Sequence, residues 1–150
     1  INIHGFRKRS KKNEKYYSKL QMIIGIGQDI CDVKRIESTI IRFGDRFKYR
    51  IFTIREIKKC ESRLNSVDSY ARRFAAKEAC SKALGTGFKK GVFYKDIEVI
   101  NMKSGKPTIE LKGGALDQFR LITKNNKDAS IEISLTDDKK LALAIVIISN

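Results

Sequence analysis

The chain has 150 residues and a formal net charge of +15, with 41% hydrophobic and 33% charged residues. That length favours one compact domain, able to bury roughly two-thirds of its unfolded surface, and the balance excludes a wholly disordered chain. The charge points to an anionic partner such as nucleic acid, a membrane surface, a phosphorylated ligand or an acidic protein, and does not by itself choose among them.

Residues 1–21 carry seven basic residues against Glu14 alone, a net of +6 that leaves +9 on residues 22–150. This stretch has no apolar period and lacks the apolar core and small-residue cleavage site of a signal peptide. It reads as a basic extension, solvated and added to the domain or serving as a binding arm, and charge runs of this kind are more often solvated. The domain is expected over 22–150.

Met22–Ile30 (MIIGIGQDI) predicts a buried first strand. Asp32 is a helix N-cap, followed by Val33, Ile36, Ile40 and Phe43 at helical spacing and by Gly44 as the stop. Asp45–Ile51 forms a short helix. Thr53 and Glu56 make a capping-box pattern that opens a helix over Ile54–Leu64. Asn65–Ser69 is a polar loop, and Arg72–Leu84 a further helix closed by Gly85. The period then falls to two. Asp96–Met102 and Thr108–Leu111 form a hairpin around Ser104-Gly105-Lys106-Pro107. Gly113–Thr123 makes a short helix. Ile131, Ile133 and Leu135 alternate as a strand, Asp137-Asp138-Lys139-Lys140 is a turn, and Leu141–Ser149 is the last strand. This order predicts an α+β fold, a largely antiparallel sheet packed with helices.

The single histidine, His4, lies in the extension, so 22–150 can build no Ser-His-Asp triad, Cys-His pair or HExxH helix. Cys31, Cys60 and Cys80 are odd in number and widely spaced, which indicates neither zinc site nor disulfide framework and fits a reducing cytoplasm. No apolar run reaches the ~18 residues of a membrane helix.

Within Arg72–Leu84, Ala71, Phe74, Ala75, Glu78 and Lys82 share one face at about 100° per residue, with Arg73 and Lys77 opposite. Glu78 is then either an acid aimed from an apolar face at a ligand, or half of a Glu78–Lys82 surface pair. Gly85-Thr86-Gly87 is either a turn that admits a phosphate or a plain C-cap. "GIGQD" lacks the third glycine of a dinucleotide fingerprint, which leaves Asp29 at a strand end as a ligand or a cap. The basic set Lys34, Arg35, Arg42, Arg46, Lys48 and Arg50 is a solvated face or a docking surface for an acidic partner. No stacking platform or nucleic-acid motif accompanies it.

Four segments, "GIGQDICDVKRIE", "RRFAAKEACSKALGTG", "DIEVINMKSGKPTIEL" and "SLTDDKKLALAIVII", resemble the holo-[acyl-carrier-protein] synthases, the short bacterial type of 4′-phosphopantetheinyl transferase. The resemblance runs from about Met22 to Ile148. It implies the 4′-phosphopantetheinyl transferase fold and Mg²⁺-dependent transfer of phosphopantetheine from coenzyme A to a serine of acyl carrier protein. Adenosine 3′,5′-bisphosphate is released, and the role is in cytoplasmic fatty acid biosynthesis. It further implies Mg²⁺ on Asp29 and Glu78, catalysis by these acids and Lys82, and coenzyme A on Arg73, Lys82, Gly85, Thr86 and Gly87. The acidic carrier is expected on Arg35, Arg42 and Arg46, in a homotrimer with sites between protomers, without membrane or nucleic acid. One departure stands out. Asp137 occupies the place where many relatives carry histidine, as a turn residue or as a contact to the coenzyme or a metal-bound water. A small basic nucleic-acid module and a coenzyme-binding homologue without activity are the competing functions.

Overall fold

The computed structural model describes residues 22–150, so the expected extension over 1–21 lies outside the described residues. In chain order the elements are β1 (Ile23–Asp32), α1 (Val33–Phe43), α2 (Asp45–Ile51), α3 (Ile54–Glu61) and α4 (Ser66–Ala83). After a 3₁₀ turn over Tyr94–Asp96 come β2 (Ile97–Asn101), β3 (Pro107–Leu111), α5 (Gly113–Ile122), β4 (Ser130–Asp138) and β5 (Leu141–Ser149). β1, β5 and β4 form an antiparallel sheet in that order, and β2 and β3 a separate antiparallel hairpin. This is the expected α+β architecture.

Local signals place several boundaries. Asp32 accepts a hydrogen bond from the Lys34 amide and so caps α1, which Gly44 ends at φ 52°. Thr53 and Glu56 close a reciprocal capping box at the start of α3.

Four expectations are corrected. Helix α4 begins at Ser66, so Asn65–Ser69 is mostly helix rather than loop. Its polar residues find partners within the helix and beyond it: Ser69 Oγ accepts from Arg73 one turn on, and the Tyr70 hydroxyl donates to Glu61 of α3. Helix α3 stops at Glu61, where Ser62 turns its hydroxyl back to the Lys59 carbonyl. Strand β4 continues through Asp137 and Asp138, and the reversal is made by Lys139 and Lys140 at φ 43° and 76°. Finally, β1 is an edge strand buried on one face only. Ile26 and Ile30 remain 60% and 56% exposed, because nothing among the described residues covers the outer face of the sheet.

The inner face packs on α4. Directly opposed pairs Gly25–Ile148, Gly27–Val146, Asp29–Ala144 and Cys31–Ala142 share this face. A β-carbon on Gly27 would lie 1.8 Å from the Ala79 carbonyl oxygen, and one on Gly25 2.1 Å from that of Ala83. The two glycines of "GIG" therefore serve close packing of strand on helix. With β1–β5–β4 on one side and α3 and β2 on the other, α4 is the central element of the core.

Candidate active site

The close approach at Gly25 and Gly27 carries the next residue of the same row, Asp29, to the last turns of α4. There Lys82 Nζ lies 2.7 Å from Asp29 Oδ1 and donates to the Gln28 carbonyl at 3.0 Å. Asp29 lies inside β1, three residues before its end, and Asp32 rather than Asp29 caps the helix. Lys82 pairs with Asp29, so the Glu78–Lys82 surface pair is not formed.

Glu78, one turn earlier on α4, is partly buried, and its Oε1 accepts a 2.6 Å hydrogen bond from the Tyr94 hydroxyl. The Tyr94 ring is stacked on Phe88 at 3.6 Å between centroids and on Phe74 at 5.8 Å. Burial raises the Tyr94 pKa well above the usual phenol range. The hydrogen bond to Glu78 and the charges of Glu78 and Asp29 act in the same direction, so the hydroxyl stays a donor. The same two carboxylates also reinforce burial in raising the Cys31 thiol to about 11. Asp29 and Glu78 therefore act on common neighbours.

The glycine turn closes this cluster. Gly85 (φ 77°) donates its amide to the Lys82 carbonyl and Gly87 (φ 57°) to that of Ser81, as a helix-terminating turn does. A β-carbon at either glycine would meet nothing within 4 Å, so they serve the left-handed backbone and leave the outer side of the turn open. Thr86 bonds its hydroxyl to the Gly87 carbonyl.

A second ion pair lies deeper. Lys77 and Glu56 are both fully buried, 2.8 Å apart. Lys77 also donates to the carbonyls of Tyr94, at 2.8 Å, and Ile97, while Glu56 accepts from the amides of Thr53 and Val99. Burial pulls the Lys77 pKa down, and Glu56 opposes that. Lys77 and Arg73 thus do not form the exposed back of α4 that helical spacing predicts, because α3 and β2 cover that side.

Arg73 is not brought to the acids. It is 7% exposed and bonds Ser69 and Asn101. Its Nε has no partner among the described residues. It borders a cleft of about 250 Å³ with Arg63, Arg72 and Asn101. Asp137 is held by Arg72 at 2.8 Å near that side of the molecule. Arg35, Arg42 and Arg46 are exposed, with Arg42 over the Phe43 ring. Tyr94 and Phe88 were not expected at the site. Their only sequence signal is aromatic character after the glycine turn, which reads equally well as core.

No group of three or more His, Cys, Asp or Glu is gathered among the described residues. A metal here would rest on Asp29 and Glu78, each engaged through one oxygen, Oδ1 and Oε1. Two carboxylates suit Mg²⁺, which keeps several waters and takes the rest of its shell from substrate phosphates.

Comparison with known proteins identifies the family. Residues 25–146 match the family model described as the 4′-phosphopantetheinyl transferase superfamily. The holo-[acyl-carrier-protein] synthase of Methylorubrum extorquens (strain PA1) is 54% identical over 127 residues, covering 85% of this chain and 93% of that protein. That of Parvibaculum lavamentivorans is 55% identical over 128 residues, covering 85% and 96%. The crystal structure of the synthase from Neisseria meningitidis aligns with TM-score 0.75 and 33% identity over 86% of this chain and 100% of that one. The Helicobacter pylori synthase in complex with coenzyme A aligns at 0.68 and 32% over 82% and 98%. The chain belongs to the holo-[acyl-carrier-protein] synthase family within the 4′-phosphopantetheinyl transferase superfamily.

Proposed function

We propose that residues 22–150 form the enzyme domain and transfer 4′-phosphopantetheine from coenzyme A to a serine hydroxyl of apo acyl carrier protein. The serine oxygen gives up its proton to solvent and bonds to the phosphorus that carries the pantetheine, the bond to the bridging pyrophosphate oxygen breaks, and adenosine 3′,5′-bisphosphate leaves. The observation that carries this reading is the convergence of Asp29, Glu78 and Lys82 beside the open Gly85–Gly87 turn. The carrier supplies the nucleophile, so the domain needs none, in keeping with its lack of histidine.

Mg²⁺ held by Asp29 and Glu78 would neutralise charge on the pyrophosphate. Lys82 binds the same phosphates by leaving Asp29. Its side chain is 50% exposed, so the exchange requires little rearrangement. The left-handed turn lets the chain lie close to the nucleotide, and Thr86 lies between the two glycines. The exposed arginines Arg35, Arg42 and Arg46 receive the acidic carrier.

The outer face of the sheet supports a homotrimer. Ile26, Ile30, Leu141 and Ile145 lie exposed together on the outer face of β1 and β5, as apolar residues at a protein–protein contact do. Sites between protomers also account for Arg73. Five residues from Glu78, it lies about 140° around α4, so Arg73 and Asp137 of a second copy would complete the coenzyme site. No helix among the described residues is long and apolar enough to cross a membrane. The family resemblance is what supports a cytoplasmic role in fatty acid biosynthesis.

Asp29→Asn and Glu78→Gln test the assignment. Each is expected to lower conversion of apo to holo carrier at least about 100-fold while the unfolding midpoint holds. Full activity in both would sink it.

A further inference from the structure

By sequence Glu78 is either a ligand-directed acid or half of a surface pair with Lys82, yet its carboxylate is fixed by a side chain that sequence spacing does not link to it. The Tyr94 hydroxyl donates to Oε1 at 2.6 Å. Three contacts immobilise Tyr94 in turn. Its ring lies nearly parallel to Phe88 (19°) and to Phe74 (22°), and its carbonyl accepts from buried Lys77 at 2.8 Å. Phe88 directly follows Gly87, so one tyrosine ties the phosphate turn to the acid. Lys77 precedes Glu78 on α4 and reaches the other side of the helix, where Glu56 holds it.

We propose that Tyr94 is a positioning residue, whose hydroxyl orients the Glu78 carboxylate for the divalent cation while its ring, against Phe88, fixes the Gly85–Gly87 turn. The inference rests on the reading of Asp29 and Glu78 as Mg²⁺ ligands. Groups that orient a ligand from behind change metal affinity or activity by about 10–100-fold when removed. Removing only the hydroxyl separates the two roles, because Phe keeps the stack.

The test is calorimetric binding of coenzyme A to the full chain with Mg²⁺ and with EDTA. Comparison covers the unmodified protein, Tyr94→Phe, Glu78→Gln and the double variant. In the unmodified protein Mg²⁺ is expected to tighten coenzyme binding. In Tyr94→Phe that gain is expected to fall about tenfold, with binding in EDTA and the unfolding midpoint unchanged. On the Glu78→Gln background Tyr94→Phe is expected to add nothing. An undiminished Mg²⁺ gain in Tyr94→Phe overturns the proposal. So does an equal loss in EDTA, which would make the hydroxyl part of the scaffold, or a full further loss on Glu78→Gln. Absence of any Mg²⁺ gain in the unmodified protein would instead overturn the metal reading, and the proposal with it.

Discussion

Helix α4 carries two lysine–carboxylate pairs little more than one turn apart, and they differ in nearly every physical respect. Lys77–Glu56 is fully buried, and both partners hold further hydrogen bonds to backbone on α3, β2 and the Tyr94 turn. Lys82–Asp29 is half open on the lysine side, with Glu78 nearby and the glycine turn one residue beyond Leu84. Charges taken out of water are costly unless paired and hydrogen-bonded, and a pair held on all sides, as this one is, resists exchanging partners. A pair at the rim contributes little to stability and can be traded for a phosphate. The inner pair fixes the frame, and the outer pair is available for chemistry.

Ranked by unfolding free energy, three substitutions sharpen that contrast. Lys77→Met leaves Glu56 buried without its counter-charge. It is expected to cost about 3–5 kcal/mol in urea unfolding, part of it regained when Glu56→Gln, which removes the charge and keeps an acceptor for the Val99 amide, is added. If Lys77→Met alone is neutral, the pair is not a structural one. Gly27→Ala pushes a methyl into the Ala79 carbonyl and should cost about 1–3 kcal/mol, moving β1 off α4. Its second expected mark is loss of the Lys82–Asp29 contact with Lys77–Glu56 retained, readable in a crystal structure of the variant. Lys82→Met is expected to change stability by at most about 1 kcal/mol, yet to slow transfer about 100-fold by removing a donor to the pyrophosphate. Equal losses of stability in Lys82→Met and Lys77→Met would erase the distinction between the pairs.

Much of this arrangement was legible in the sequence because the signals are local. Asp32 and Gly44 bracket α1, Thr53 and Glu56 open α3, and Gly105 turns the β2–β3 hairpin. Periodicity put Glu78 and Lys82 on one helical face and left Asp29 as a ligand or a cap, and it was the family resemblance, not spacing, that singled out the three. What stayed hidden depends on partners distant in sequence. Helical spacing placed Lys77 on an exposed side, since nothing local announces that Glu56, Val99 and Ile97 meet it there. Nothing in the sequence drew Tyr94 to the site, and only the 3₁₀ turn and the Phe88 stack aim its hydroxyl at Glu78. β1 read as buried because its apolar run continues on both faces, whereas Ile26 and Ile30 face outward from an edge strand.

The most direct measurement is the intact mass of apo acyl carrier protein after incubation with this chain and coenzyme A, in Mg²⁺ and in EDTA. A gain equal to one phosphopantetheine arm in Mg²⁺ and none in EDTA is the predicted result. No gain in Mg²⁺ would contradict the transferase reading, and an equal gain in EDTA would contradict the part given to Asp29 and Glu78.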